Sequence, residues 1–403
     1  MSNTLLTLDK ITLEVLRLAH EKATFIGTIN RQFDESYAPD TGKGGGTLRV
    51  RLPSEYTRRT GSRVMSVQDS VQQQVTIPAP IQDGVDMRFN SQELRLEMEA
   101  FSKQHLEPAV GTLISGVESD VLQGLSKMVF NVAGTAGTAI SSLTAVGTAR
   151  AKLNQYLAPK DNNRSIQVDS VTMASLTDGL KGLFQDSKQL AESFREGFIA
   201  RTAMADYYEN ERVWAMTNGS DVACGIDAVQ IANADEVITV SGFATPTVGM
   251  VFTVAGMYAC HPETKAAYTF LKQHVVKTGS TATAISTYPI YLTGARKNVA
   301  AVDGTDCTTV GFSSAIITCV GSASTTYVQS LMYHRDAFAF VTADLPLMDD
   351  AAKCVRRELD GLSVRLWQAS DIRNDEMLTR IDILYGYKAI RPQWACRLIG
   401  SAS

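Results

Sequence analysis

From Asn90 to Phe130 the chain reads NSQELRLEMEAFSKQHLEPAVGTLISGVESDVLQGLSKMVF, and this stretch constrains the fold more than any other. After Pro108 the apolar residues are Val110, Leu113, Ile114, Val117, Val121, Leu122, Leu125, Met128 and Val129. Steps of three and four place them on one stripe of an α-helix. Glu118, Asp120, Gln123 and Lys127 fall on or towards the other side. Pro108 either opens the helix in its first turn, where a missing N–H costs nothing, or kinks a longer helix that starts near Glu97. Gly111, Gly116 and Gly124 lower the intrinsic propensity, so packing must hold this helix in place. Full burial of one such apolar side chain contributes roughly 1.5–3 kcal/mol. The stripe is therefore an organising spine, with Val110, Leu113, Val117, Val121 and Leu125 expected to carry its packing.

A chain of 403 residues is long for one compact core, so more than one domain is expected. Its apolar and charged fractions, 44% and 20%, are those of an ordinary globular protein. A net charge of −4 argues against a nucleic-acid reader that works through a basic surface. Asp9, Lys10, Glu14 and Arg17 interrupt the N-terminal region, so no signal-peptide core is expected. No apolar run approaches membrane-spanning length. The six cysteines are scattered without a C-x-x-C, which favours free thiols in a reducing cytoplasm over a metal site or a disulfide framework.

Leu5, Leu8, Ile11, Val15, Leu16 and Leu18 outline an amphipathic helix capped by Thr7 or Asp9. From Asn30 to Gly46 the chain is polar and Gly-rich, a flexible arm. Its Thr41-Gly42-Lys43 lacks the Ser or Thr that a phosphate loop needs after the lysine. Thr47–Pro53, TLRVRLP, alternates as a strand. A polar segment with Arg58, Arg59, Gly61 and Arg63 follows, and Val71–Phe89 returns as a second strand. Two strands joined by a long polar tip form an extended hairpin. A free two-stranded hairpin is marginal in water, so this one is expected to lie on a neighbouring molecule.

Beyond the spine, Gly134–Gly147 reads as a loop, Ala149–Leu157 as helix, Ser165–Met173 as strand and Leu176–Phe184 as helix. No regular βαβ pattern appears, which disfavours a doubly wound fold. From Val222 to about Ser330 the chain turns rich in Thr, Val, Ala and Gly. Short strands at Val237–Val240, Met250–Ala255, Tyr268–Val276, Ile290–Leu292 and Ala315–Val320 suggest a small antiparallel barrel or sandwich inserted in the first domain. Strands at Ala337–Thr342, Leu362–Gln368 and Arg380–Ile390 then resume the mixed character.

No catalytic constellation emerges. His334-Arg335-Asp336 imitates a kinase catalytic loop, but the Asn expected five residues after the Asp is missing and there is no Asp-Phe-Gly. The five histidines, at 20, 105, 261, 274 and 334, form no metal-ligand spacing, and there is no G-x-S-x-G. No catalytic, cofactor-binding or metal-ligating residues are assigned, no cofactor is expected, and the chain is read as a non-enzyme.

The order of arm, long hairpin, spine helix, mixed domain with inserted β-domain and closing strand resembles the major capsid proteins of tailed double-stranded DNA phages, the Hong Kong 97 fold. It is similar above all to the coat-protein branch of a Salmonella short-tailed phage, whose subunit carries an insertion domain. The resemblance rests on RIDILYGYKAIRPQWACRL (Arg380–Leu398), VDMRFNSQELRLEM (Val85–Met98) and DEVITVSGF with VGMVFTVAGMYACHPETK (Asp235–Lys265). It implies an α+β chain with an N-terminal arm (1–46), an extended loop (47–90) and a spine helix of the peripheral domain (91–131). An axial domain (132–221), an inserted β-barrel (222–330) and closing axial and peripheral strands (331–403) would follow.

The resemblance further implies a subunit that builds the hexamers and pentamers of an icosahedral shell. Its partners would be a scaffolding protein, a portal protein and non-specifically enclosed double-stranded DNA, with no membrane. Its place would be the virion capsid, assembled in the bacterial host cytoplasm. Arg58, Arg59 and Arg63 of the extended loop would contact a neighbouring subunit, and Asp9 and Glu14 of the arm would meet a basic scaffolding segment. Thr47–Phe89 contains no lysine, so a non-covalent shell is expected. Only about forty residues precede the hairpin, which implies a separate scaffolding protein. A mildly acidic wall would repel packaged DNA. An encapsulin-like bacterial compartment shares this fold, but the insert argues against it. A cell-surface binding protein built on the insert would need an export signal.

Overall fold

The computed structural model describes residues 12, 15–18, 23–31, 47–53, 56, 61, 65, 67, 74–78, 81–90, 107–180, 201–226, 234–307, 315–347, 353–359, 362–371 and 376–402. The chain divides into two compact units. One comprises Met1–Leu52, Gln74–Val121 and Phe338–Ile390, the other Pro53–Gln73, Leu122–Ala337 and Arg391–Ser403.

In the first unit a short helix α1 (Phe25–Thr28) precedes strands β1 (Thr47–Arg51), β2 (Gln74–Pro78) and β3 (Ile81–Asn90). β1 and β2 pair antiparallel from Thr47 opposite Pro78 to Arg51 opposite Gln74. The spine follows as α2 (Glu107–Ser126), whose residues from Leu122 onward are counted in the second unit. Pro108 is its second residue, the place where its missing donor is harmless. The unit closes with β16 (Phe338–Thr342), β17 (Lys353–Leu359), β18 (Leu362–Asp371) and β19 (Glu376–Ala389). These strands form a sheet in the order β16-β19-β18-β17, with β3 also on β19. Tyr385 of β19 is paired both with Ile81 of β3 and with Thr342 of β16.

β3 gives the hairpin a partner inside the chain as well. Its return limb is held within the chain over ten residues, Ile81 opposite Tyr385 to Asn90 opposite Glu376. Val50 and Ile77, at the hairpin base, cluster with Ala339, Val341 and Ile390. Within the chain, β19 thus supplies the ladder for β3, while Ala339, Val341 and Ile390 supply apolar cover at the hairpin base.

The second unit holds a six-stranded sheet and a ring of strands. The sheet comprises β4 (Val132–Ala133), β5 (Arg164–Val168), β6 (Asp206–Glu209), β7 (Ala215–Thr217), β15 (Thr326–His334) and β20 (Ala395–Ala402). Its order is β4-β20-β15-β5-β6, with β7 on β15. Helices α3 (Leu143–Gln155) and α4 (Ser170–Leu180) cover it: Val146, Ala149, Leu153, Met173 and Leu176 cluster with Ile166, Val168, Met332 and Leu398. The strand expected over Ser165–Met173 stops at Val168. Asp169 ends it by starting α4, its Oδ2 accepting the Thr172 amide at 3.2 Å as an N-cap does.

The ring is made of β8 (Ala223–Ile226), β9 (Asp235–Ser241), β10 (Val251–Cys260), β11 (Ala267–Val276), β12 (Ala284–Tyr291) and β14 (Ile316–Cys319), with β13 (Val299–Ala300) added to β10. Each strand pairs antiparallel with its neighbours in the order β8-β9-β12-β11-β10-β14, and β14 returns to β8. Closure leaves these strands no free edge. Ile238, Val240, Phe243, Phe252, Val254, Ile285, Tyr291 and Ile317 fill the inside. Ser330, the expected end of the inserted segment, lies within β15 and faces Leu398 in the other sheet.

Candidate functional site

The spine residues are the interior of α2. Val117, Val121 and Leu125 have no exposure at all, and Val110 and Leu113 are buried. One expectation for this helix fails. Glu118 is fully buried, and its carboxylate accepts the backbone amide of Phe25 at the start of α1. Position 118 lies four residues from both Ile114 and Leu122, so it falls inside the apolar arc. A carboxylate is tolerated there because an amide donor meets it.

Arg58, Arg59 and Arg63 of the loop, and Asp9 and Glu14 of the arm, lie outside the described residues. The loop positions that are described present apolar groups to solvent: Tyr56, Met65 and Val67 are 64%, 79% and 80% exposed.

The base of the loop is a lattice of charges across β3, β19 and β18. Arg380 Nε donates to Asp86 Oδ1 at 2.8 Å from the directly opposed position. Arg88 Nη1 reaches Glu376 Oε1 at 3.3 Å. Arg380 also approaches Asp382 Oδ1 at 3.3 Å, and Asp382 Oδ2 takes Arg365 Nη2 at 2.6 Å. The Tyr385 hydroxyl lies 3.0 Å from Asp83 Oδ2 and 3.0 Å from Asp120 Oδ2, and donates to one or the other. Burial first, then these two carboxylates, push its pKa far above the ordinary phenol value. Loop base, spine helix and closing strand thus meet at one side chain.

Apart from Asp120, which the helical period places towards the polar side of the spine, none of these residues is singled out by the sequence, although most lie in or beside the quoted segments. Val85–Met98 and Arg380–Leu398 carry the resemblance, and the structure pairs their beginnings: Val85 faces Ile381 and Asp86 faces Arg380. The alternation of Asp86 and Arg88 with Val85 and Met87, and of Arg380 and Asp382 with Ile381 and Ile383, was the available signal for a charged strand face.

The second unit buries further cations. Arg397 has no exposure and donates to the Gly249 carbonyl at 2.8 Å and to Gln329 Oε1 at 2.9 Å. Burial brings its pKa down to about 9. His334, of the kinase-like tripeptide, is buried with Nε2 2.9 Å from Asp161 Oδ1. Burial acts to raise the Asp161 pKa, but hydrogen bonds from His334 and Asn163 outweigh it and hold the carboxyl at about 2. Among the described residues no group of three His, Cys, Asp or Glu is placed to hold a metal ion. No helix of the described residues is long and apolar enough to cross a membrane.

No protein-family model matches the chain, and no curated protein matches it. Solved structures do. The chain is similar to a chain of Mycobacterium phage Che8 with a TM-score of 0.52 and 11% identity, over 94% of this chain and 92% of that one. At that level the two share a fold. Weaker likenesses, to the capsid of Ralstonia phage GP4 (TM-score 0.45, 8% identity, 90% and 85% covered) and the capsid of cyanophage P-SCSP1u (0.43, 9%, 90% and 86%), carry no argument by themselves.

Proposed function

We propose that this chain is the major capsid protein of a tailed double-stranded DNA phage, with the Hong Kong 97-like fold and an inserted β-barrel. The observation that carries this is the fold shared with a Mycobacterium phage chain over nearly the full length of both. The ordered elements support it: a hairpin (β1, β2), a spine helix (α2), a closed ring of strands between Ala223 and Cys319, and a long closing strand (β19). In this reading residues 47–90 are the loop that reaches a neighbouring subunit, 91–131 the peripheral spine, 132–221 and 331–403 the axial and closing parts, and 222–330 the insert. Copies associate into hexamers and pentamers around a scaffolding protein and a portal, and the shell then takes in DNA within the bacterial cytoplasm. Asp9 and Glu14 on the arm (1–46) meet the scaffold, and Arg58, Arg59 and Arg63 meet the neighbouring subunit. Exposure of Tyr56, Met65 and Val67 supports a covered loop, because a lone subunit gains nothing by placing three large apolar groups in water.

Electron microscopy of the full chain, expressed alone and then with the genes that flank it, tests the reading. Uniform closed shells are expected in the second case at least. Monodisperse, non-assembling protein under both conditions would overturn it.

A further inference from the structure

A small pocket in the second unit has a chemistry that shell assembly does not explain. It has a volume of about 160 Å³ and opens between Phe130, Tyr156, the ends of β10 and β12, and the turn that carries Arg296 and Lys297. Four of its lining residues are cationic, Lys265, Lys272, Arg296 and Lys297, and none is acidic. Among the described residues Lys272, Arg296 and Lys297 form no ion pair with a carboxylate. Lys297 Nζ instead donates to the Gly304 carbonyl at 2.5 Å.

Lys272 is the unusual member. It is 3% exposed, and its ammonium donates to the Tyr156 hydroxyl at 3.0 Å while facing the rings of Phe130 and Tyr156 at 4.7 and 4.5 Å. An ammonium carries three donors, and the phenol takes one. A buried cation without a counter-charge is costly. Burial accordingly pulls the Lys272 pKa down to about 7. A chain that only needed to fill this space had apolar side chains available.

We propose that this pocket binds a phosphate-sized oxyanion, held from inside by Lys272 and at the mouth by Arg296 and Lys297. A tetrahedral dianion offers several acceptor oxygens to converging donors, and Arg and Lys are the side chains that recognise it. The volume admits one such ion with water but no nucleotide. The source is either free phosphate, which can enter, or a backbone phosphodiester of a nucleic acid, which can reach only Arg296 and Lys297 at the mouth. The proposal is independent of the capsid reading, because every lining residue belongs to one unit of one chain.

The test is thermal unfolding of the full chain in sodium phosphate or sodium sulfate against sodium chloride of equal ionic strength, followed by calorimetric titration. A higher midpoint in both oxyanions is expected. In Arg296→Ala/Lys297→Ala, whose residues are only half-buried and so leave the fold intact, affinity should fall at least ~10-fold, the loss of one or two charged hydrogen bonds. Lys272→Met should abolish the response. Sulfate does not titrate near neutrality, so its affinity should decline as pH rises above about 7, where Lys272 loses its proton. Lys265, Arg296, Lys297, Asp303 and Asp306 are the other charged side chains at or near the pocket; burial raises the pKa of the Cys260 thiol and the Tyr156 phenol and lowers that of His274, so these three stay neutral as pH first passes 7. Competition between phosphate and a short DNA duplex, lost in the double variant, would identify the phosphodiester source; phosphate binding without such competition would identify the free ion. Equal midpoints in oxyanion and chloride, or an unaltered response in Arg296→Ala/Lys297→Ala, would sink the proposal.

Discussion

Arg365 Nη2 donates to Asp382 Oδ2 at 2.6 Å between the adjacent strands β18 and β19, and the two side chains are 4% and 1% exposed. A second guanidinium nitrogen, Nη1, reaches the Pro346 carbonyl at 2.9 Å. Truncating one partner leaves the other charge buried and unpaired, which costs about 3–5 kcal/mol, whereas replacing both by apolar residues of similar volume is often neutral. Asp382→Ala is therefore expected to destabilise the chain by about that amount, and Arg365→Met/Asp382→Leu to recover most of the loss. Urea denaturation of the unassembled chain checks both. Similar midpoints for the single and double variants would show that the pair is not what matters.

Gly84 sits opposite Asp382 in the β3–β19 pairing. A Cβ built there would stand 2.5 Å from Asp382 Oδ1 and 2.9 Å from the Ile381 carbonyl, and the second of these is backbone that cannot swing aside. Gly84→Ala should cost about 1–3 kcal/mol as overpacking. Because β3 anchors the loop base, amide exchange should quicken along Ile81–Asn90 before it does elsewhere. Uniform exchange rates across both units would argue that the clash relaxes locally.

These residues also show what was legible in the sequence and what was not. The spine could be read because burial repeats every three to four residues over five turns, and no other element imposes that period. Glu118 could not, since its charge signals solvent while its position within the arc signals core, and only the Phe25 amide, 93 residues earlier, resolves the conflict. β15 was missed for a related reason. TYVQSLMYH contains Gln329, Ser330 and His334, all buried, so alternation is lost where both faces of a strand are covered. The pairing of β3 with β19 is not legible either, because it joins residues nearly three hundred positions apart, as Asp86 with Arg380 shows. Arg58, Arg59, Arg63, Asp9 and Glu14 lie outside the described residues, and their reading rests on sequence alone.

His274 has no exposure and is stacked between Phe252, at 5.8 Å, and Tyr291, at 4.5 Å. Burial first, then the Lys272 charge, brings its pKa down to about 3. The Pro289 carbonyl opposes this shift, yet neither ring nitrogen meets a partner at bonding geometry, so burial decides. Below its unfolded pKa of about 6.5 the unfolded chain takes up a proton that the folded chain does not. The stability tied to a neutral ring is thus complete above pH 6.5 and is lost progressively towards pH 3. His274→Phe keeps the aromatic contacts and removes the titration, so it should flatten this acid limb while leaving stability at pH 8 within about 1.5 kcal/mol of the parent. Midpoints measured at pH 4, 6 and 8 decide the matter. An unchanged acid limb would assign the loss to carboxylates instead.

Val117 and Leu125 are fully buried two turns apart on α2. Val117→Asp or Leu125→Asp places an unpaired charge in the spine, at a cost of several kcal/mol. Insoluble chain is the expected outcome for each. Soluble protein with the circular dichroism of the parent would show that the helix can turn its face outward.

The loop gives the sharpest separation between folding and assembly. Met65 and Val67 are 79% and 80% exposed, so no packing within the subunit depends on them. Exposed substitutions away from special features usually change stability by less than about 0.5 kcal/mol. If a neighbouring subunit covers these side chains, Met65→Asp/Val67→Asp buries two carboxylates against it at every contact of the shell. A penalty that a single pair of subunits could absorb is then repeated around a closed surface. Arg58→Glu/Arg59→Glu should act in the same direction by reversing charge at the same tip, and moderate salt should weaken assembly of the parent because exposed ion pairs are screened. Both double variants are expected to keep the parent circular dichroism and urea midpoint but to sediment as unassembled subunits. Full-size shells at parental yield from Met65→Asp/Val67→Asp would place the loop tip in solvent in the assembled particle.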